Sequence, residues 1–133
     1  MSELFHINPS DPTPLYAQLT RAIHFAIATN QLRIGEQLPT VRQMAVDLRI
    51  NANTVAKVYA ELERNGIVET RRGVGTFVCA RHFEAKGGRQ DHEKRLREVG
   101  DRLIAEGGRH GFSLDDLLDH FHSRRKKEIT KHG

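Results

Sequence analysis

Asn51, Asn53, Thr54 and Lys57 bring two amides, a hydroxyl and one cation together within seven residues. An asparagine amide donates and accepts at once and pairs bidentately with adenine. A threonine hydroxyl bonds either kind of base edge, and its methyl packs on that of thymine. A lysine reaches a guanine edge or a phosphate. The same residue types also form ordinary solvated helix faces, and asparagine is a common helix N-cap. The element that carries these side chains must decide between the readings.

That element is "NANTVAKVYAELERNG", residues 51–66. Val55, Val58, Tyr59 and Leu62 fall at i, i+3, i+4 and i+7, one buried stripe of a helix. Asn51 or Asn53 caps it, and Gly66 stands where a left-handed residue ends it. Before it, "TVRQMAVDL" opens with the capping-box pair Thr40 and Gln43, and Val41, Met44, Ala45 and Leu48 repeat at helical spacing. Arg42 takes the outward side of this helix, whose first-turn amides favour a phosphate. "RIN" between the two helices is too short to be anything but a turn.

A first helix runs from about Pro14 to about Asn30, with Leu15, Leu19, Ala22, Ile23, Ala26 and Ile27 as its stripe. Residues 1–13 read as an extended arm, and "LRIGEQLP" as a turn segment. After Gly66, "IVETRR-GVG-TFVCA" reads as a β-hairpin with a tip of three residues. Arg71 and Arg72 precede the tip. Alternation along a strand points one of them toward a ligand and the other away. Gly73 and Gly75 make the tip thin enough for a minor groove. The Gly-Val-Gly run is no phosphate loop, because it joins strand to strand.

Two helices joined by a turn of about three residues, the second with a polar outer face, describe a helix-turn-helix, and the hairpin makes it winged. Each piece alone has a bland reading: a solvated face, an ordinary turn, a solvated arginine pair. Their order gives the constellation its meaning.

Composition bounds the rest. The chain has 133 residues, is 38% hydrophobic and 29% charged, and carries a net charge of +4, which permits a nucleic-acid partner. Residues 1–80 hold eight Lys and Arg against seven Asp and Glu, and residues 81–133 hold thirteen against ten. DNA binding by the first segment therefore relies on placed charges. No apolar run of about 18 residues predicts a membrane span. The start lacks the pattern of a secretory signal, and the lone Cys79 fits a reducing cytoplasm. The eight histidines show no ligand spacing, and His120 and His122 face different ways on a helix. No metal, cofactor or enzymatic activity is expected. Asp115, Asp116 and Asp119 suit the N-terminal half of their helix.

Residues 14–79 resemble the DNA-binding domain of the GntR family of bacterial transcription regulators, most specifically in "GEQLPTVRQMA", "NANTVAKVYAELERNGIV" and "RRGVGTFV". The resemblance implies a winged helix-turn-helix that binds an inverted-repeat operator as a homodimer. It puts the family's DNA contacts on Arg42, Asn53, Thr54, Lys57, Arg72 and Gly73, with Gly75 at the wing tip. Asn51 matches the family motif as a cap. Ala52 offers no side-chain donor where some members carry a polar or basic residue.

The expected architecture is mainly α with a small β-hairpin. A winged domain occupies residues 1–80, a linker 81–92, and a short helical dimerisation region with a basic tail 93–133. That region offers two helices, one carrying Leu96, Val99, Leu103 and Ile104 and the other Leu114, Leu117, Leu118 and Phe121. Ser113 and Asp116 form a second capping-box start, and Gly107, Gly108 and Gly111 break the chain between the helices. Two helices enclose no sizeable ligand pocket. Leu96, Val99, Leu103, Leu114, Leu117, Leu118 and Phe121 are therefore expected to meet the same residues of a second chain; the competing arrangement packs the helices back on their own winged domain. The short tail resembles the YtrA subfamily, associated with repression of neighbouring operons that often encode membrane transport systems. No effector is identified by the sequence. A winged-helix protein–protein adaptor is the alternative function, and it would carry exposed apolar or acidic anchors where Arg42, Asn53, Thr54 and Lys57 stand.

Overall fold

The structure, a computed structural model, describes residues 5–79 and 88–132. The chain divides into two units, Met1–Phe83 and Glu84–Gly133. Residues 81–87 of the expected linker lie outside the described residues.

In the first unit, helix α1 (Leu15–Ala28) is followed by α2 (Val41–Leu48), α3 (Ala52–Arg64) and the antiparallel strands β1 (Val68–Arg71) and β2 (Gly75–Val78). Helix α3 packs against α1, α2 and β1. The apolar stripes foreseen from spacing form one core, in which Leu19, Ile23, Met44, Val55, Val58, Leu62 and Val68 are fully buried. The Tyr59 hydroxyl donates to the Pro39 carbonyl at 2.8 Å, tying α3 to the residue before the α2 cap. Burial pushes the ionisation of that hydroxyl well above the ordinary phenol range.

The caps follow the sequence closely. Thr40 Oγ1 accepts from the Gln43 amide at 3.0 Å. The Gln43 side chain does not complete the box; it donates to Asp47 Oδ1 at 2.7 Å. Asn51, not Asn53, caps α3, its Oδ1 accepting from the Asn53 amide at 2.7 Å. Each of the first three helices ends in the paired backbone bonds of a Schellman turn around a left-handed residue. These residues are Asn30 (φ 62°), Arg49 (φ 57°) and Gly66 (φ 76°).

Three further features of the first unit depart from the sequence reading. Residues 31–38 are more than a turn: Leu32 and Leu38 are core residues, and Gln37 bridges antiparallel to Phe77. The Leu38 amide donates to the Thr76 carbonyl at 2.8 Å and the Val78 amide to the Glu36 carbonyl at 2.9 Å, so the segment lines the free edge of β2. The N-terminal arm is docked. Phe5 is buried in the core, and Gln18 brackets the Asn8 backbone, accepting from its amide at 2.8 Å and donating to its carbonyl at 3.0 Å. The hairpin tip is shifted by one residue, because Arg71 pairs with Gly75 and leaves Arg72, Gly73 and Val74 as the loop.

In the second unit, α4 (Arg89–Arg109) and α5 (Leu114–His132) are joined by residues 110–113. Residues 89–92, expected in the linker, are helical. Arginine and glutamine are good helix formers, and Gly88 supplies the non-helical boundary. Helix α4 also runs through Gly107 and Gly108, and ends at a fourth Schellman turn around Gly111 (φ 87°). Gly107 serves close approach instead: it is buried, and a Cβ there would stand 2.9 Å from Leu117 Cδ1. Ser113 and Asp116 form the full reciprocal box at 2.9 and 3.1 Å.

Candidate nucleic-acid interface

The N-terminal half of α3 holds the candidate readers. Asn53 and Lys57 are one turn apart and both exposed, and Thr54 beside them is half-buried. The stripe of Val55, Val58, Tyr59 and Leu62 anchors the opposite side, so the helix cannot rotate these side chains inward. With Asn51 engaged as the cap, the Asn53 side-chain amide is exposed and makes no hydrogen bond among the described residues. Arg42 is the second residue of α2, exposed and without an ion pair among the described residues.

Lys57 has a seat that spacing alone does not reveal. Its Nζ lies 5.2 Å from the ring centroid of Tyr16, on the first turn of α1. The ring is partly exposed, where such a cation–π contact is worth about 0.5–1 kcal/mol. It holds the long side chain against α1. Only the packing of α1 on α3 creates the pair.

The wing separates its two arginines. Arg71, Glu69 and Phe77 share one face of the hairpin by register. The Arg71 guanidinium lies 4.5 Å from the Phe77 ring centroid, and its Nε donates to Glu69 Oε1 at 2.9 Å. Arg72, one residue on, sits in the exposed tip with no ion pair among the described residues. The Val74 amide closes the tip by donating to the Arg71 carbonyl at 2.9 Å, and Gly73 takes the positive φ of 76° that a type II turn needs at its third residue. Open space surrounds Gly73, so a backbone can come close there.

The second unit presents apolar surface. Leu96, Val99, Leu103, Leu114, Leu118 and Phe121 are all exposed, and so are Ile104 and Phe112. Leu117, expected with them, packs on Gly107 of its own chain instead. Among the described residues, no helix is long and apolar enough to cross a membrane.

Comparison with known proteins agrees with this geometry. The family described as "Bacterial regulatory proteins, gntR family" matches residues 15–78. The uncharacterized HTH-type transcriptional regulator YhcF of Bacillus subtilis (strain 168) is 35% identical over 106 residues, which cover 80% of this chain and 85% of the relative. The HTH-type transcriptional repressor YtrA of the same organism is 40% identical over 75 residues, 56% of this chain and 58% of that one. The solved structure of YtrA from Sulfolobus acidocaldarius, a GntR-family transcription factor, has a TM-score of 0.55 at 26% identity. It covers 77% of this chain and 98% of its own.

Proposed function

The chain belongs to the GntR family of bacterial regulatory proteins, and from that premise we propose that it is a homodimeric repressor that binds an inverted-repeat operator in double-stranded DNA. As a member it is a transcriptional regulator with a DNA-binding winged helix-turn-helix, and not an enzyme. The observation that carries the finer reading is the polar first half of α3: Asn53, Thr54 and Lys57 stand outward on a helix whose other side is locked in the core.

In the proposed complex α3 enters the major groove. Asn53 pairs with a base edge, Thr54 adds a hydroxyl or methyl contact, and Lys57 leaves Tyr16 for a guanine edge or phosphate. Arg42 and the first-turn amides of α2 hold a phosphate. Arg72, Gly73 and Gly75 present the wing to the minor groove. Arg71 is left as a brace within the wing, because Glu69 and Phe77 already occupy its guanidinium.

The exposed stripes of α4 and α5 support a two-fold dimer, whose paired α3 helices would read half-sites about one helical turn apart. The similarity to a YtrA repressor supports repression, and the resemblance to that subfamily makes a neighbouring transport operon the proposed target. An adaptor role would need apolar or acidic anchors on the α3 face, which carries amides and a cation instead.

The test is selection of bound duplexes from a random DNA pool by the purified protein at stated salt. A two-fold inverted repeat is the expected product, and its sequence sought upstream of genes names the target. No enrichment, with weak salt-sensitive binding alone, would overturn the operator reading.

A further inference from the structure

We propose that Gln37 is a positioning residue for DNA binding: it clamps the wing tip from outside the hairpin and thereby sets where Arg72 points. The proposal rests on the reading that the wing meets DNA. The Gln37 backbone bridges to Phe77 on the free edge of β2, which places its side chain beside Gly75. From there Nε2 donates to the Val74 carbonyl at 3.1 Å. This is a contact across 37 positions of sequence, in an exposed place, onto the last residue of the loop that carries Arg72.

The tip has little else to hold it. Within the hairpin, the Val74 amide closes the turn on the Arg71 carbonyl, and no other hydrogen bond is made by loop residues 72–74 among the described residues apart from that of Gln37. Backbone bonds from the segment before α2 reach β2 at Thr76 and Val78 but stop short of the loop. The Gln37 amide joins its far end to the segment before α2, which is itself anchored by the buried Leu38.

Gly75 is the complement of this clamp. Its φ is 145°, and a Cβ at this position would overlap the Gln37 amide. A side chain at 75 would therefore both strain the backbone and evict the glutamine from the tip. The glycine accordingly has a role inside the protein, apart from any approach to DNA.

The experiment measures operator affinity of the full chain, on the duplex recovered by the selection above. Single variants Gln37→Ala, Gln37→Met and Arg72→Ala are compared with the two double variants. Both Gln37 variants are expected to bind about two- to tenfold more weakly, the factor one net hydrogen bond allows. Their melting temperatures are expected to match the parent, since Gln37 is exposed. In either Gln37 background, Arg72→Ala is expected to lose less than it does alone, because an unclamped tip no longer delivers the arginine. Additive losses, or intact binding by the Gln37 variants while Arg72→Ala weakens it, would overturn the clamp and leave the wing contact standing. Unchanged binding by Arg72→Ala would overturn the wing contact and the clamp with it.

Discussion

Replacing Leu118 tests how the second unit hides its apolar surface. The side chain is 44% exposed in the single chain. Completing the burial of a leucine that is already about half covered is worth about 1 kcal/mol. A two-fold interface presents each residue twice, so Leu118→Ala is expected to cost the dimer about 2 kcal/mol, or about 30-fold in Kd. Leu118→Asp loses the same area and also dehydrates a carboxylate, at about 2 kcal/mol more per copy. The sum is about 6 kcal/mol, or about four decades in Kd. Sedimentation equilibrium across about 0.1–100 µM reads both shifts on one scale. Thermal unfolding of the winged unit serves as the control for general misfolding. A Leu118→Asp variant that stays dimeric at micromolar concentration would refute the stripe as the interface. So would equal effects of alanine and aspartate, because the argument requires a graded series.

Four further outcomes are expected. Asn53→Ala loses about 1–3 kcal/mol on the operator and relaxes specificity at one base, while equal losses on operator and random DNA would remove its role as a reader. Arg72→Ala lowers the slope of log affinity against log salt by about one phosphate's share, whereas Arg71→Ala leaves that slope in place; the reverse order would exchange their assignments. Tyr59→Phe leaves the Pro39 carbonyl unpaired and costs about 1–2 kcal/mol in urea unfolding, and an unchanged midpoint would mean that water replaces the hydroxyl. Arg49→Gly relieves a left-handed residue with a Cβ, worth about 1 kcal/mol, and raises the melting temperature of the winged unit by about 5 °C. A fall in that temperature would show that the arginine side chain stabilises the turn.

The helices were legible because their signals are local. Thr40, Asn51 and Gly66 act within a turn of their own positions, and the stripes of α1, α2 and α3 repeat often enough to declare a period. The α3 face was legible for the same reason. What escaped depends on contacts distant in sequence. Leu32 and Leu38 enter the core from a segment whose single bridge to β2 has no period to detect. Phe5 and Ile7 both pack on the core from the proline-rich arm, but two residues two positions apart are too few to declare a period. The choice between Arg71 and Arg72 turned on the register, since a shift of one residue in the tip exchanges the faces of the strand. Lys57 over Tyr16 and Gln37 under Val74 arise from packing between elements.

Gly107 and Gly108 look interchangeable in the sequence, yet they constrain descent in opposite ways. At 108 a methyl meets none of the described residues, so alanine is open at once and favoured by the helix. At 107 the same gain is opposed by the end of the Leu117 side chain, which would have to shift. A side chain at 107 obliges Leu117 either to swing aside or to shorten, and both loosen the corner between α4 and α5. Positions 107 and 117 are therefore expected to drift as a pair, while 108 wanders alone.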